Sequence, residues 1–378
     1  MRILVDYRPA LRQRSGVGEY VHQLARALAG REDDRVDAFT SSWKDRPAPA
    51  DVADLGAGVR VVDRRIPVRW LNASWHRLGW PPVEWLTGRS YDVVHSPAPV
   101  LLPSNGGAGL ITIHDLDFLA NPERTRAEMR YAYPALVARH AAAADGIIAV
   151  SEHVAEKASR LLRIDPERIS VCPHGVPRWA PAPRAEPGNP TGGYVLFLGT
   201  LEPRKNVEGL LAAYRDLIAR RPDTPPLTLA GAAVADATAW REAISRPPLL
   251  GRVNYHGYVR DVDRQAVYAG ARLLVLPSFD EGFGMPVVEA MSLGIPVVAS
   301  TRGALPEVSG GAALLVDPED VAGLAQAMER VLFDAGLARR MGEDGLRRAQ
   351  GYSWARTAEL TRAAYERAIE ARRTRLGG

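Results

Sequence analysis

Two carboxylates flank a glycine-rich loop in the second half of the chain. Glu281 follows the apolar run Leu273–Leu276, and the sequence GFG at 282–284 opens a predicted helix that carries Glu289. Glycines at a helix N-terminus let a ligand approach the backbone amides, and the helix dipole favours phosphate oxygens there. The two carboxylates lie ~8 to 12 Å apart along the element, a spacing suited to the hydroxyls of two sugar rings on either side of a diphosphate. Glu281 taken alone fits a solvated loop charge equally well, so this prediction depends on the combined pattern.

A pair of adjacent cations follows an earlier apolar run. The run Tyr194–Leu198 leads to Arg204 and Lys205, and Asn206 is placed to cap the helix predicted from Val207. Paired cations beside a departing diphosphate stabilise its developing negative charge, by ~3 kcal/mol for each well-placed donor. For a lone dipeptide, a solvated Arg-Lys pair is the alternative interpretation.

His114 ends the apolar run Leu110–Ile113 in the first half of the chain. A histidine at a strand end can contact a ligand, or it can be satisfied by nearby backbone. The triplets at 115–117 and 261–263 spell the DxD pattern by which some transferases hold a divalent ion. Such triplets occur by chance in a chain with this many aspartates, so we predict no metal site from them.

Gly16 and Gly18 precede an amphipathic helix near the N-terminus, in the sequence SGVGEY at 15–20. The segment fails as a dinucleotide-binding GxGxxG fingerprint, because Val21 replaces the third glycine and the motif does not follow the first strand directly. A plain helix-entry loop is therefore one interpretation of these glycines.

These residues follow short apolar runs that alternate with helical patterns, as in parallel α/β units. The first series of runs extends from Ile3–Val5 to Ile169–Val171, and the second from Tyr194–Leu198 to Ala313–Val316. A stretch with six prolines, at 173–190, separates the two series and predicts a linker. Because ligands bind beyond the carboxyl ends of parallel strands, the residues after each run are the candidates for chemistry.

The pattern predicts two doubly wound α/β domains, at 1–175 and 193–352, joined by a Pro-rich hinge at 176–192. A chain of 378 residues is long enough for two such domains of ordinary size. Residues 353–378 are predicted to form a final helix. Helical spacing predicts that its buried face carries Leu360, Ala364, Ala368 and Ala371.

Composition and charge narrow the class of protein. Apolar residues make up 46% of the chain and charged residues 24%, which excludes a disordered or fibrous protein. A formal net charge of +4 is too small to predict a nucleic-acid partner. The one cysteine, Cys172, excludes an intramolecular disulfide and a Cys-rich zinc site. Because the chain has neither a signal-like N-terminal segment nor an apolar run of ~18 to 20 residues, we expect a cytoplasmic protein.

Arginine and tryptophan are concentrated between Arg60 and Trp85. The stretch 60–89 holds six arginines against two acidic residues, and it carries four of the eight tryptophans. Arginine is attracted to anionic membranes, and tryptophan favours the headgroup region. Tryptophans five residues apart advance ~140° per step on a helix, so the four cannot share one face, and Pro81-Pro82 would interrupt a helix. A peripheral membrane surface and a tryptophan core with solvated arginines are both compatible with the stretch.

The spacing of Glu281 and Glu289, with EGFG and a proline between them, resembles the E-x7-E signature of the retaining family 4 glycosyltransferases. The resemblance spans nearly the whole chain and implies the GT-B fold, in which two Rossmann-like domains face a central cleft. It implies that the N-terminal domain binds the acceptor and the C-terminal domain binds a nucleotide-sugar. It also implies that the C-terminal helix crosses back to the first domain.

The same resemblance implies a role for each candidate residue. Glu281 and His114 contact the transferred sugar, Glu289 binds the ribose, and Arg204 with Lys205 clamps the diphosphate. The other donor-binding positions are Gly16 and Gly18 in a loop facing the diphosphate, Phe283, Gly284 and Met285 through their amides, and Val259 in the segment that holds the base. His174, in a turn where relatives have asparagine, is predicted to be structural, and the segment 301–307 is predicted to pack against the donor site.

The opening DYRP at 6–9, followed by SGVGEY, looks like that of bacterial mannosyl- and rhamnosyltransferases of surface polysaccharide assembly. This implies GDP-mannose as donor, a glycan or lipid-linked acceptor and no further cofactor. We expect retention without a metal, with the leaving phosphate taking the acceptor's proton on the face from which it departs. An epimerase or phosphorylase of related architecture and a non-catalytic bilobal sugar-binding module are the alternatives.

Overall fold

The computed structural model of the protein describes residues 1–11, 14, 16–31, 33–122, 132–177, 179, 192–233 and 238–377. Most of the predicted hinge at 176–192 lies outside the described residues, as does Ser15 of the glycine loop. The chain divides into two compact units. One comprises Met1–Gly175 with Ser353–Gly378, and the other comprises Val176–Tyr352.

Within the described residues, the first unit is built on seven parallel strands in the order β3-β2-β1-β4-β5-β6-β7. The strands are Arg2–Asp6 (β1), Arg35–Ser41 (β2), Val59–Arg64 (β3), Val93–Ser96 (β4), Ala108–Ile113 (β5), Gly146–Ala149 (β6) and Ile169–Val171 (β7). The first series of apolar runs is thus confirmed as strands, because parallel strands are buried on both faces. The order reverses between β1 and β4, where such sheets bind ligands beyond the strand ends.

Among the described residues, helices connect successive strands of the first unit except β4 and β5, which are joined by a loop. The helices are Val17–Ala29 (α1), Pro49–Leu55 (α2), Val68–Leu78 (α3), Val83–Thr87 (α4), Asp117–Ala120 (α5), Ala132–Ala143 (α6) and Glu152–Leu162 (α7). The predicted apolar face of α1 is confirmed, since Val21, Leu24 and Leu28 are fully buried. Their spacing of three and four residues puts them on one side of the helix.

The second unit contains, among the described residues, six parallel strands in the order β10-β9-β8-β11-β12-β13. The strands are Tyr194–Leu198 (β8), Leu227–Ala230 (β9), Val253–Gly257 (β10), Ala271–Leu276 (β11), Val297–Ser300 (β12) and Leu314–Val316 (β13). Its helices are Val207–Arg220 (α8), Thr238–Ile244 (α9), Asp261–Ala269 (α10), Met285–Ser292 (α11), Leu305–Ser309 (α12), Val321–Phe333 (α13) and Ala335–Ala349 (α14). The order reverses between β8 and β11, so residues after these two strands are brought together.

The last helix, Trp354–Gly377 (α15), packs within the first unit against α1 and the strands β5 to β7. Its buried face carries Thr357, Thr361, Ala364, Tyr365 and Ala368. The prediction is wrong for Leu360, which is half-buried, and for Ala371, which is exposed. Polar side chains take their places because they find partners inside, as when the Thr357 hydroxyl donates to the carbonyl of Pro173 at 2.7 Å.

The stretch from Arg60 to Trp85 divides between core and surface. Trp75 is buried on α3, as the core interpretation predicts, and its indole N–H donates to the carbonyl of Pro81 at 2.8 Å. That interpretation is wrong for Trp70, Trp80 and Trp85, which are exposed. Trp70 and Trp75 lie five residues apart on α3, which is ~140° around the helix axis, so only one of them can face the core.

Candidate active site

Glu281 lies in a buried cluster of charges at the carboxyl end of β11. Its Oε1 is 2.5 Å from Nζ of Lys205 and accepts a hydrogen bond of 2.7 Å from the Ser278 hydroxyl. Its Oε2 is 3.4 Å from Nη1 of Arg204. Burial opposes ionisation of Glu281, but the positive charges of Lys205 and then Arg204, with the hydrogen bonds, outweigh it and lower the carboxyl pKa. The carboxylate is therefore held charged and in one orientation at neutral pH.

The two cations belong to a short 3-10 turn, Pro203–Lys205, that follows β8. Arg204 is bonded to residues 277–284, the segment between β11 and α11 that we call the Glu281 loop. Its Nη1 donates to the carbonyl of Asp280 at 2.7 Å, and its own carbonyl accepts from the amide of Phe279 at 2.9 Å. Its Nη2 pairs with Glu202 at 2.8 Å. The cluster therefore holds two cations and two carboxylates, and the sequence pattern alone did not point to Glu202 or Ser278.

Asn206 joins this turn to its neighbours. Its backbone is left-handed, with φ of 54°, and its side-chain oxygen accepts from the amide of Gly209, which confirms the predicted cap of α8. Its side-chain nitrogen donates to the carbonyls of Pro277 and Pro318, at 3.2 and 2.7 Å. One buried amide side chain thus fixes the turn, the start of the Glu281 loop and the segment before α13.

The Glu281 loop needs glycine at two positions of close packing. Gly284 has φ of +89°, and an added Cβ there would lie 2.5 Å from Cδ2 of Leu305. Gly303 has φ of +66°, and its added Cβ would lie 2.5 Å from the backbone nitrogen of Glu281. The amide of Ala304 donates to the carbonyl of Glu281 at 2.9 Å. The segment 301–307 therefore packs directly on the backbone of the loop.

Gly284 also stands immediately before α11, so the Glu281 loop delivers the chain to a helix N-terminus. Phe283 turns its side chain inward, where its ring packs edge-on against Tyr352 with ring centroids 5.6 Å apart. Met285 is half-exposed at the first position of the helix. The dipole of α11 favours an anion at this end.

Glu289 is almost fully buried on α11 and is held by two side chains of α10. The hydroxyl of Tyr268 donates to its Oε2 at 2.8 Å, and Nη2 of Arg264 is 3.2 Å from its Oε1. Burial, followed by the charge of Glu289, raises the pKa of Tyr268 well above its usual value, so the phenol remains a donor. Arg264 also pairs with Asp261 at 3.1 Å. Neither Tyr268 nor Arg264 was identified from the sequence.

Val259 lies in the segment between β10 and α10. It is half-buried and packs against the core of the second unit. The turn before it depends on Gly257, which has φ of +75° and whose carbonyl accepts from the amide of Gly231 at 2.7 Å.

His114 follows β5 in the first unit and is half-buried. Its Nε2 is 3.0 Å from the carbonyl oxygen of Pro97. A carbonyl only accepts, so Nε2 carries the proton and Nδ1 of the neutral ring is an acceptor. Burial lowers the pKa of His114 to about 4, although Asp115 and the Pro97 carbonyl oppose the shift. His114 thus has the backbone partner that a structural histidine would have, and it keeps one nitrogen that can accept from a ligand hydroxyl.

An aromatic cluster surrounds His114. His174 stacks on it with ring centroids 5.4 Å apart, and the ring of Tyr20 meets both imidazoles edge-on at 4.8 and 4.9 Å. The ring of Trp354 packs edge-on against His174, with ring centroids 5.9 Å apart. The hydroxyl of Tyr20 lies 3.1 Å from Oγ1 of Thr112. The prediction of His174 as structural agrees with this packing, whereas the sequence offered no signal for Tyr20 or Trp354.

The glycine loop of the first unit has a packing reason as well as a predicted ligand role. Gly16 caps α1 with φ of +51°, and an added Cβ there would meet open space. A Cβ on Gly18 would lie 2.9 Å from the carbonyl oxygen of Pro9. Gly18 therefore lets the first turn of α1 approach the 3-10 turn Arg8–Ala10.

The two DxD triplets have other partners. Asp117 accepts a hydrogen bond of 2.6 Å from the side chain of Asn121, and Asp115 accepts from the amide of Asp117 at 3.3 Å. In the second triplet Asp261 pairs with Arg264, while Asp263 pairs with Arg260 at 2.6 Å. Across the part of the chain that the structure describes, no three His, Cys, Asp or Glu side chains are grouped closely enough to hold a metal ion.

The chain matches known families over most of its length. Residues 14–180 match the model described as Glycosyltransferase Family 4, and residues 192–334 match that of Glycosyl transferases group 1. The O-antigen chain mannosyltransferase B of Escherichia coli is 32% identical to this chain over an alignment 391 positions long. The alignment covers 97% of this chain and all of the relative.

Two solved structures of low sequence identity share the fold. Sucrose-phosphate synthase from Thermosynechococcus elongatus superposes with a TM-score of 0.76 at 22% identity, covering 98% of this chain and 100% of that one. Anabaena HepE in complex with UDP-glucose superposes with a TM-score of 0.67 at 18% identity, covering 96% and 99%. The predicted class, two Rossmann-like α/β domains with parallel sheets, is confirmed. Among the described residues, no helix is both long enough and apolar enough to cross a membrane.

Proposed function

The chain belongs to the family 4 glycosyltransferases of GT-B fold, and from that membership we propose that it transfers mannose from GDP-mannose, with retention, to a glycan or lipid-linked acceptor of a surface polysaccharide. Mannose is supported by the O-antigen mannosyltransferase, which is related over its full length. A nucleotide-sugar donor is supported by the UDP-glucose bound to HepE. The observation that carries the proposal is the buried, charged Glu281 held by Lys205 and Arg204 beside the N-terminus of α11.

In this proposal Lys205 and Arg204 bind the diphosphate while they remain paired with Glu281. An ammonium group has three donors and a guanidinium has five, so contacts within the cluster leave each cation able to bind a phosphate oxygen. The leaving diphosphate gains negative charge as the glycosidic bond breaks, and the two cations together with the dipole of α11 stabilise that charge.

Glu281 orients the sugar rather than attacking it. Its Oε1 is already bound by Lys205 and Ser278, and its Oε2 faces Arg204. A carboxylate restrained in this way can accept hydrogen bonds from sugar hydroxyls but is poorly placed as a mobile nucleophile. Retention then proceeds through the leaving phosphate, whose oxygen takes the proton of the acceptor hydroxyl as the new bond forms on the same face.

Glu289 and His114 complete the proposed donor contacts. Tyr268 and Arg264 hold the Glu289 carboxylate in one orientation, as a group that accepts from ribose hydroxyls requires. His114 is neutral with its proton on Nε2, so Nδ1 accepts from a hydroxyl of the transferred sugar. The proposed reaction needs no metal and no cofactor besides the donor, because Arg204 and Lys205 supply the positive charge.

A donor screen with and without acceptor tests the proposal. The purified protein is incubated with GDP-mannose, GDP-rhamnose, UDP-glucose or UDP-galactose, and a mannose-terminated oligosaccharide is added to half of the samples. We expect acceptor-dependent release of GDP from GDP-mannose, and a product whose anomeric coupling shows the configuration of the donor. Glu281→Gln should abolish release, whereas Glu319→Gln, at an exposed glutamate, is the matched control.

An epimerase and a sugar-binding module would each give a different result in the same screen. Conversion of a nucleotide-sugar without acceptor indicates an epimerase. Saturable binding of free sugar without turnover of any donor indicates a binding module. An inverted product would contradict retention, and preference for a UDP-sugar would contradict the proposed donor while leaving the transferase assignment intact.

A further inference from the structure

We propose that the first unit docks on an anionic membrane through an exposed surface of arginine and large apolar side chains. We name it the Arg–Trp surface, and it consists of Arg64, Arg65, Arg69, Trp70, Arg77, Leu78, Trp80 and Trp85. Its four large apolar side chains are between 53% and 75% exposed, whereas Trp75 of the same segment is 3% exposed. Clustered exposure of this kind marks an interaction site more often than a solvated surface.

The orientation of α3 brings part of this surface together. Leu71 and Trp75 are buried four residues apart and define the inward side of the helix. At ~100° per residue, Trp70 and the two arginines Arg69 and Arg77 fall on the opposite half. Leu78 lies on the side of Leu71, seven residues earlier, but it is the last residue of the helix and is exposed. The outward face of α3 therefore carries Trp70 flanked by two cations, and Leu78 adds a second exposed apolar side chain at the end of the helix.

Hydrogen bonds and ring packing join the rest of the surface to α3. The hydroxyl of Ser74 on α3 donates to the carbonyl of Trp80. The ring of Trp80 packs edge-on against that of Trp85 on α4, with centroids 5.9 Å apart. Arg64 at the end of β3 donates to the carbonyl of Leu86, next to Trp85. The surface is thus continuous from β3 through α3 to α4.

The acidic residues of the stretch have partners elsewhere. Asp63 accepts from the hydroxyl of Thr40 at 2.8 Å and pairs with Arg46. Glu84 accepts from the hydroxyl of Ser104 at 2.6 Å. Arg60 is not part of the surface, because its guanidinium pairs with Asp37. The four arginines of the surface are all exposed, so its charge is positive.

A surface that carries both arginine and tryptophan is chemically suited to a membrane, which presents anionic headgroups above an apolar layer of acyl chains. Anionic headgroups attract each arginine, and indole rings partition to the boundary between headgroups and acyl chains. Single-stranded nucleic acid also binds arginine and aromatic rings, but Leu78 offers no ring for stacking and the formal charge of the whole chain is only +4. The combination therefore favours a bilayer.

Vesicle co-sedimentation of the full-length protein tests this proposal. We expect binding to vesicles of phosphatidylcholine mixed with phosphatidylglycerol, and little binding to phosphatidylcholine alone. The triple variant R64S/R65S/R69S should lower the partition coefficient about a hundredfold, since each arginine near such a surface contributes about fivefold. The double variant W70A/W85A should lose the binding that persists at high salt, because the apolar contribution is not screened.

Matched controls separate this surface from general charge and hydrophobicity. R246S/R347S/R373S removes the same charge at exposed arginines outside the surface, and L250A/L376A removes exposed apolar side chains elsewhere. Both controls should bind like the parent. The two control variants should keep the parent's melting temperature. Because Arg64→Ser and Trp85→Ala also remove a contact with Leu86 and with Trp80, circular dichroism is used to show that every variant is folded at the temperature of the binding measurement.

Three results would overturn the proposal. One is a parent protein that does not sediment with anionic vesicles, and another is equal loss of binding in the two arginine triples. The third is tight binding of a single-stranded oligonucleotide that displaces the protein from vesicles, which would make nucleic acid the partner. Sugar transfer to a water-soluble acceptor is measured in parallel, because it depends on the proposed function and not on docking.

Discussion

Nδ1 of His95 and the hydroxyl oxygen of Tyr365 lie 2.8 Å apart, although 270 residues separate them in the sequence. Nε2 of the same imidazole is 2.7 Å from Oγ1 of Thr112, which in turn is 3.1 Å from the hydroxyl of Tyr20. A buried chain of hydrogen bonds therefore runs from the C-terminal helix through β4 and β5 to α1. Because the ring of Tyr20 packs against His114, this chain supports a candidate catalytic side chain.

Tyr365→Phe should destabilise the first unit. The substitution keeps the ring but leaves Nδ1 of a fully buried histidine without its partner, which costs about 1 to 3 kcal/mol of unfolding free energy. Chemical denaturation measures the change. Tyr255→Phe, at an exposed tyrosine of the second unit, is the control. Equal stability of Tyr365→Phe and the parent would show that the hydrogen bond contributes nothing net.

Glu281→Gln and Glu289→Ala should affect different steps. Glu281→Gln should abolish transfer but leave the affinity for free GDP intact or higher, because Lys205 and Arg204 lose a competing carboxylate. Glu289→Ala should weaken GDP binding by roughly tenfold, as expected for a lost charge-assisted hydrogen bond to ribose. Isothermal titration calorimetry with free GDP gives both affinities, and the opposite ranking would contradict the assigned roles.

Glu202→Gln should strengthen GDP binding. Glu202 pairs with Nη2 of Arg204 at 2.8 Å and so competes with phosphate for that guanidinium. The pair is partly solvated, so we expect a gain of no more than about fivefold, or ~1 kcal/mol. The same titration measures it, with Glu319→Gln as the control at an exposed ion pair. Weaker binding would mean that Glu202 positions Arg204 instead of competing for it.

The sequence predicted the strands of the fold, but it did not predict the contacts between side chains in the candidate site. Apolar runs identify the strands because parallel strands are buried on both faces. They could not show that Lys205 and Glu281, 76 residues apart, form an ion pair, since pairing depends on strand order. Nor could they distinguish Trp75 from Trp70, because both lie on one short amphipathic helix and only packing decides which face is buried. In α15 the sequence pattern assigned only apolar residues to the buried face. Thr357 and Tyr365 are buried there as well, because their hydroxyls have hydrogen-bond partners inside the first unit.

Stability should fall as pH drops below about 6.5. Burial lowers the pKa of His114 to about 4 and that of His95 to about 3. Between the ordinary histidine pKa and these values the unfolded chain binds more protons than the folded chain, so acid favours unfolding. Each histidine contributes at most about 1.4 kcal/mol per pH unit. Urea unfolding at several pH values from 7 to 5 gives the unfolding free energy as a function of pH. Its slope should be shallower for His114→Gln than for the parent, and an equal slope would contradict the assignment.

Chelation should leave turnover unchanged. In the first DxD triplet Asp117 is engaged by Asn121 and Asp115 by a backbone amide, and in the second Asp261 and Asp263 pair with arginines. The positive charge that a divalent ion would bring to the diphosphate is already present in Arg204 and Lys205, which flank a buried carboxylate beside the N-terminus of α11.

Initial rates with GDP-mannose are measured with EDTA, with Mg²⁺ and with Mn²⁺, and Lys205→Ala should slow transfer by roughly a hundredfold under all three conditions. If EDTA stops turnover and Mn²⁺ restores it, the aspartates of the first triplet become candidate ligands. Rescue of Lys205→Ala by Mg²⁺ would likewise show that an ion, and not the lysine, stabilises the leaving group.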